Sequence, residues 1–162
     1  MSKYKATVKF AWHVHHDVLL EPLIETLKNR IAYIKDNKPE DEIATRLRLL
    51  KPVVGGLPTA VAEAGKAYHE AGNAYEEARK VYIEARKVYD EAHEPLIVAS
   101  QKAYRKAGKS YYEAWKAYIK ALKIHEPEIL ALHAIECPDC PWDNEQKTIF
   151  SEVEHAVNPK TH

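Results

Sequence analysis

Glycine is scarce in this chain, with five residues in 162. Such scarcity disfavours a turn-rich β fold and suits long helices. Long apolar runs are missing as well. No stretch approaches the roughly 18 residues of a membrane span, and the opening MSKYKATVKF alternates polar and apolar residues without the apolar block of a signal peptide. The expectation is an intracellular, cytoplasmic protein with no membrane partner. Net charge is absent too: 24 Lys plus Arg balance 24 Asp plus Glu, so the molecule as a whole is not steered toward nucleic acid. A glycine-rich phosphate loop, a nucleophile elbow and a Ser/His/Asp constellation are all lacking, and Gly55-Gly56 is an isolated hinge too short to cradle phosphate. These absences favour a protein that is not an enzyme.

What is present is 46% apolar and 30% charged residues, a composition that suits a folded chain. The charge is segmented. Met1–Pro58 carries ten basic and seven acidic residues, Thr59–Glu94 five and eight, Pro95–Ile124 seven and one, and His125–His162 two and eight. Adjacent blocks alternate in sign, which favours their packing on one another.

Tyr4 to His16 alternates as a strand, with Phe10, Trp12 and Val14 on one face and His13 and His15 on the other. Leu20, Leu23, Ile24, Leu27, Ile31 and Ile34 then recur at helical spacing after Asp17, predicting a helix over about 19–36 with Pro22 in its first turn. A second short helix is expected from Glu40 to Leu50, before the break at Pro52 to Pro58.

From Thr59 to Ile124 the period is seven. Tyr68, Tyr75, Tyr82 and Tyr89 are seven apart, as are Ala64, Ala71, Ala78, Ala85 and Ala92; the pattern resumes, shifted by one, at Tyr104, Tyr111 and Tyr118. With the alanines at heptad position a, position d holds Ala67, Ala74, Val81 and Val88, then Ala103, Ser110, Ala117 and Ile124, and tyrosine falls at the flanking e. Position g is acidic in the first arm (Glu63, Glu70, Glu77, Glu84, Glu91) and mostly basic in the second (Lys106, Glu113, Lys120). An antiparallel pair sets g against g and e against e, so Glu would meet Lys and Tyr would meet Tyr. The reading is therefore an antiparallel coiled-coil hairpin turning at His93-Glu94-Pro95. Beyond it, Glu126-Pro127 opens a further helix, Lys147 to Phe150 reads as a strand, and Ser151 to Val157 as one or two helical turns.

Three patterns carry chemistry. His133-x3-Cys137-x2-Cys140 places a histidine and a cysteine one helical turn apart and brings a second thiol back in a Cys-Pro-Asp-Cys turn, as zinc knuckles do. The ligands suit a structural Zn2+. The fourth is sought at His13 or His15, or else at His16, His125 or His155. A thioredoxin-like role is disfavoured because Cys137 follows a helix instead of opening one. Secondly, His13-Val14-His15-His16-Asp17 resembles the H-x-H-x-D ligand spacing of metallo-β-lactamase-type hydrolases, but those folds need far more sheet than this chain offers. Thirdly, the second arm interleaves basic and aromatic residues, with Lys109, Lys116 and Lys123 in one stripe and Tyr112 and Trp115 facing away from the seam. Such a surface suits a protein partner, a second copy, or a nucleic-acid backbone.

Taken together, the sequence predicts a mostly helical α+β protein. A small head is made from residues 1–58 and 125–162, its strand at Tyr4–His16 pairing with Lys147–Phe150, and the alanine-rich hairpin of residues 59–124 projects from it. The expected function is non-enzymatic scaffolding, regulation or protein interaction. The alternatives are a nucleic-acid-binding accessory protein and a small metal-dependent hydrolase.

Overall fold

The computed structural model of the chain describes residues 8–87 and 94–150. Its elements run β1 (Phe10–Trp12), β2 (Leu20–Pro22), α1 (Leu27–Asn37), α2 (Glu40–Leu49), β3 (Lys51–Pro52), α3 (Thr59–Lys87), α4 (Glu94–Ile124) and α5 (Glu126–Glu136). An α+β class dominated by helix is what the sequence predicts. The chain divides into two compact units, residues 1–56 with 127–162 and residues 57–126. Among the described residues no helix is long and apolar enough to cross a membrane.

In the first unit a small antiparallel sheet has the order β2-β1-β3. β1 is central and buried along its length, as Phe10-Ala11-Trp12 suits a strand covered on both faces. Two expectations are corrected here. The helix expected from residue 19 starts at Leu27, where Thr26 caps it by accepting from the Asn29 amide at 3.2 Å. Leu20–Pro22 instead pairs with β1, Leu20 opposite Trp12 and Pro22 opposite Phe10. Proline offers no amide to a ladder and is at home on an edge strand. The strand expected at Lys147–Phe150 does not form: Asn144–Lys147 make a tight turn closed by an isolated bridge between Asp143 and Thr148. Asp143 Oδ1 accepts from the amides of Glu145 and Gln146, and Lys147 adopts φ 53°. Ile149 N–H donates to His16 O at 3.0 Å, just beyond the end of the N-terminal strand. The pairing partners of β1 are β2 and β3. Residues 4–7 of the expected strand and the helical turns expected at Ser151–Val157 lie outside the described residues.

Among the described residues, the core of this unit includes two apolar clusters. Ala11, Val14, Ile34 and Leu50 gather Leu23, Leu27, Ile31, Ile43 and Leu47; Leu49, Ile149 and Phe150 gather Cys140 and Trp142. Arg30 is buried too, and its guanidinium donates to the Val14 carbonyl, satisfying a backbone group left over where β1 ends.

The second unit is the hairpin. α3 and α4 pack against each other antiparallel, as the ring pairing shows: Tyr68 stacks on Tyr111 and Tyr118, Tyr75 on Tyr104 and Tyr111, and Tyr82 on Tyr104. Of the turn expected at His93-Glu94-Pro95, His93 lies outside the described residues, while Glu94 and Pro95 form the first turn of α4, where proline is tolerated. The register differs from expectation. Ala67, Ala74, Val81, Ala103, Ser110, Ala117 and Ile124 face solvent, Val81 being 57% exposed. The seam is built from the alanine column and the tyrosines. A tyrosine ring removes far more surface from water than an alanine methyl, so the tyrosine column takes the interface. This rotates the acidic column outward. Glu77, Glu84 and Glu113 pair along their own helices with Lys80, Lys87 and Lys116.

Candidate functional site

β1 ends at Trp12, and the next residue, His13, has φ 53°. That left-handed turn is uncommon for a residue other than glycine, and it breaks the strand's alternation. His13 swings into the interior at 3% exposure. His15 stays outside, where its Nδ1 meets Glu21 at 2.7 Å. On α5, His133 lies one turn before the helix end and is also buried. The chain then folds through Cys137-Pro138-Asp139-Cys140, the Cys140 amide donating to the Cys137 carbonyl at 3.1 Å.

These three segments converge. His13 Nε2 stands 3.0 Å from His133 Nε2 and 3.1 Å from Cys140 Sγ. The ligating atoms of His13, His133 and Cys140 all lie within 4.8 Å of one another, close enough to hold a metal ion. A ring nitrogen carries either one proton or one lone pair, so His13 Nε2 cannot make two good hydrogen bonds at once. A cation between the three atoms would draw on a lone pair from each. With Zn–N near 2.0–2.1 Å and Zn–S near 2.3 Å, tetrahedral ligand atoms sit roughly 3.3–3.6 Å apart. The His13–His133 and His13–Cys140 separations are each a few tenths of an ångström short of this.

The surroundings suit ligands more than acids or bases. Burial, with His133 beside it, lowers His13 to about 4. Burial likewise lowers His133, although Glu136 opposes this. Both imidazoles are neutral near pH 7, as ligation requires. Burial pushes the Cys137 and Cys140 thiols up, so a cation is the natural source of the charge that would hold a thiolate there. Three aromatic contacts fix the rings: Trp12 meets His133 edge-on at 5.1 Å, and His13 lies 5.0 Å from His133 and 5.5 Å from Trp142. Among the described residues, His13 Nδ1 is buried without a hydrogen-bond partner, so packing, not the usual second hydrogen bond of a metal-bound imidazole, orients this ring.

Of the residues singled out in the sequence, the structure brings His13, His133 and Cys140 together. Cys137 is buried beside them but outside the trio, and His15 is engaged with Glu21. His16 faces Asp17 at 3.8 Å, so the H-x-H-x-D segment does not converge on one centre. His155 lies outside the described residues. Glu136 belongs to none of the sequence motifs, yet it organises this region. Its carboxylate accepts from Trp12 Nε1 at 2.7 Å and from the amides of Val54 and Gly55. It ties the end of α5 to β1 and to the loop after β3. Burial opposes its ionisation, but those three donors hold it below the ordinary carboxylate range. The backbone amides beside Gly55 thus do cradle an anion, and it is the protein's own.

On the hairpin, Tyr112 and Trp115 stack on each other at 5.7 Å and are 53% and 40% exposed. Lys116 lies over the Tyr112 ring at 4.8 Å while also pairing with Glu113 at 2.9 Å. Lys109 and Lys123 are exposed on the same helix. No family model, curated protein or solved structure matches the chain.

Proposed function

We propose that this is a non-enzymatic interaction protein whose helical hairpin presents an aromatic and basic face to a protein partner or to a second copy, and whose α+β unit is fastened by a structural Zn2+ on His13, His133 and Cys140. The observation that carries the interaction reading is the Tyr112–Trp115 pair. Six other tyrosines of the hairpin are spent on its internal stack, yet these two neighbouring rings stand exposed together. Tyrosine and tryptophan are the residues that anchor interfaces. The strongly basic second arm favours an acidic partner surface. Both cysteines are free thiols, which suits a reducing, cytoplasmic setting.

The test is a double substitution, Tyr112→Ala with Trp115→Ala, followed by sedimentation of the pure protein and recovery of partners. Loss of association with helicity unchanged supports the reading; an unchanged association profile sinks it. A nucleic-acid reading is favoured by Lys116 over the Tyr112 ring. If it holds, binding weakens steeply between low and moderate salt and falls when Lys109 and Lys123 are replaced. For the zinc, elemental analysis of untagged protein is expected to find about one ion per chain, lost in His13→Ala and Cys140→Ser.

A further inference from the structure

The trio supplies three ligands, and a structural zinc site closes with four. Two of the three are shut off from solvent: His13 and His133 are 3% and 6% exposed, walled by Trp12 and Trp142. The remaining donor is therefore best sought within the protein. Among the described residues of this unit the neighbouring candidates fall away in turn. His15 is turned outward onto Glu21, His16 faces Asp17, Asp139 is exposed, and Glu136 already holds Trp12, Val54 and Gly55.

Cys137 does not fall away. It is buried at the end of α5, and its amide donates to the His133 carbonyl at 2.7 Å, so the helical turn between them is intact. Residues four apart share a helix face, which puts the Cys137 side chain on the His133 side of α5. The same residue accepts through its carbonyl from the Cys140 amide, so one turn of chain carries both thiols. Cysteine has a single χ1 bond to its sulfur, and a rotamer step is a small rearrangement.

We propose that Cys137 is the fourth ligand, closing a tetrahedral centre of two nitrogens and two sulfurs with His13, His133 and Cys140 that takes Zn2+. This rests on the metal reading above and goes beyond it by fixing the coordination number and excluding an open catalytic position. Two imidazoles with two thiolates in tetrahedral array favour zinc among the common divalent ions by geometry and ligand softness.

The experiment is Co2+ titration of the metal-free full-length chain, with Zn2+ back-titration, on wild type, Cys137→Ser, Cys140→Ser and Cys137→His. In wild type the visible bands of tetrahedral cobalt appear together with a thiolate charge-transfer band. Cys137→Ser is expected to lose about half of that charge-transfer intensity and to bind at least tenfold more weakly. Cys137→His restores the tetrahedral bands with one thiolate's charge transfer. X-ray absorption of zinc-loaded wild type needs no variant: two sulfurs at about 2.3 Å are expected. Wild-type intensity and affinity in Cys137→Ser, or a single sulfur in the absorption data, overturns the assignment of Cys137 while leaving the trio standing. Failure of wild type to bind either ion overturns the metal centre itself.

Discussion

Gly55 and Gly72 are the same residue in opposite surroundings, and the same substitution has opposite signs at the two. A Cβ on Gly55 would fall 2.5 Å from Leu132 Cδ1 and 2.9 Å from Glu136 Oε1, so the leucine methyl must turn aside and the carboxylate must shift at the expense of its bond to the Gly55 amide. A Cβ on Gly72 would meet the Tyr111 ring at 3.4 Å, which is ordinary contact inside a helix. Gly55→Ala is expected to destabilise by about 1–3 kcal/mol. Gly72→Ala is expected to stabilise by up to about 1 kcal/mol through helix propensity. Urea unfolding of both variants checks the pair, and equal signs would refute it. Glu136 gives a pH test. Its folded-state value lies below the ordinary 4.5, so its contribution is complete above pH 4.5 and is lost as pH falls through the depressed value. Glu136→Gln keeps an oxygen for the Trp12 indole, itself 0% exposed, but loses the charge. A cost of about 1 kcal/mol is expected near neutrality, narrowing below pH 4.5. A deficit that stays constant on acidification would count against the charged anchor.

The hairpin was legible as an element because a period of seven repeats over dozens of residues, and repetition survives local exceptions. Its register was not, because an alanine column has apolar neighbours both three and four residues on, and periodicity alone does not rank them. The amount of surface each column can bury does. The result is an alternating stack in the order Tyr118, Tyr68, Tyr111, Tyr75, Tyr104, Tyr82, with centroids 5.0–5.8 Å apart. Hydroxyl pairs join Tyr68 to Tyr111 at 2.8 Å and Tyr75 to Tyr104 at 2.6 Å. β2 was missed for a related reason. Leu20, Leu23, Leu27 and Ile31 fit a helical spacing, but the alternation Leu20-Glu21-Pro22 also fits a strand, and three residues are too few to separate the two. The register is open to a direct comparison of adjacent residues. Tyr111→Ala removes two stacked neighbours and one hydroxyl pair, at a cost of about 2–4 kcal/mol. Tyr112→Ala, on the outward face, should stay within about 0.5 kcal/mol. Thermal melts followed by far-ultraviolet circular dichroism read the difference, and comparable losses would return the tyrosines to the flank.

At the scale of the whole molecule, the His13–His133–Cys140 cluster joins parts of the chain that sequence alone could not bring together. His13 and His133 are 120 positions apart, and the hairpin sequence lies between the two halves of the α+β unit. The motif His133-x3-Cys137-x2-Cys140 marked half the site; its partner was one of several histidines, and only the inward turn at His13 selects it. Among its described residues, the unit that holds the site has a short sheet and modest apolar clusters, the circumstance in which small folds depend on a staple. The hairpin, with its own seam of stacked rings, has no such need. Metal should therefore act on one unit and spare the other. Trp12 and Trp142 lie against the site, whereas helicity is dominated by α3 and α4, of 29 and 31 residues. Free Zn2+ at a hundredfold over its dissociation constant adds about 2.7 kcal/mol to whatever it binds only when folded. Chelation should lower the transition seen by near-ultraviolet tryptophan dichroism by several degrees and leave the far-ultraviolet midpoint in place. His13→Ala should show the low transition with or without zinc. If both signals shift together, the two units unfold as one; if neither shifts in wild type, the ion holds nothing together and the trio is only a packed cluster.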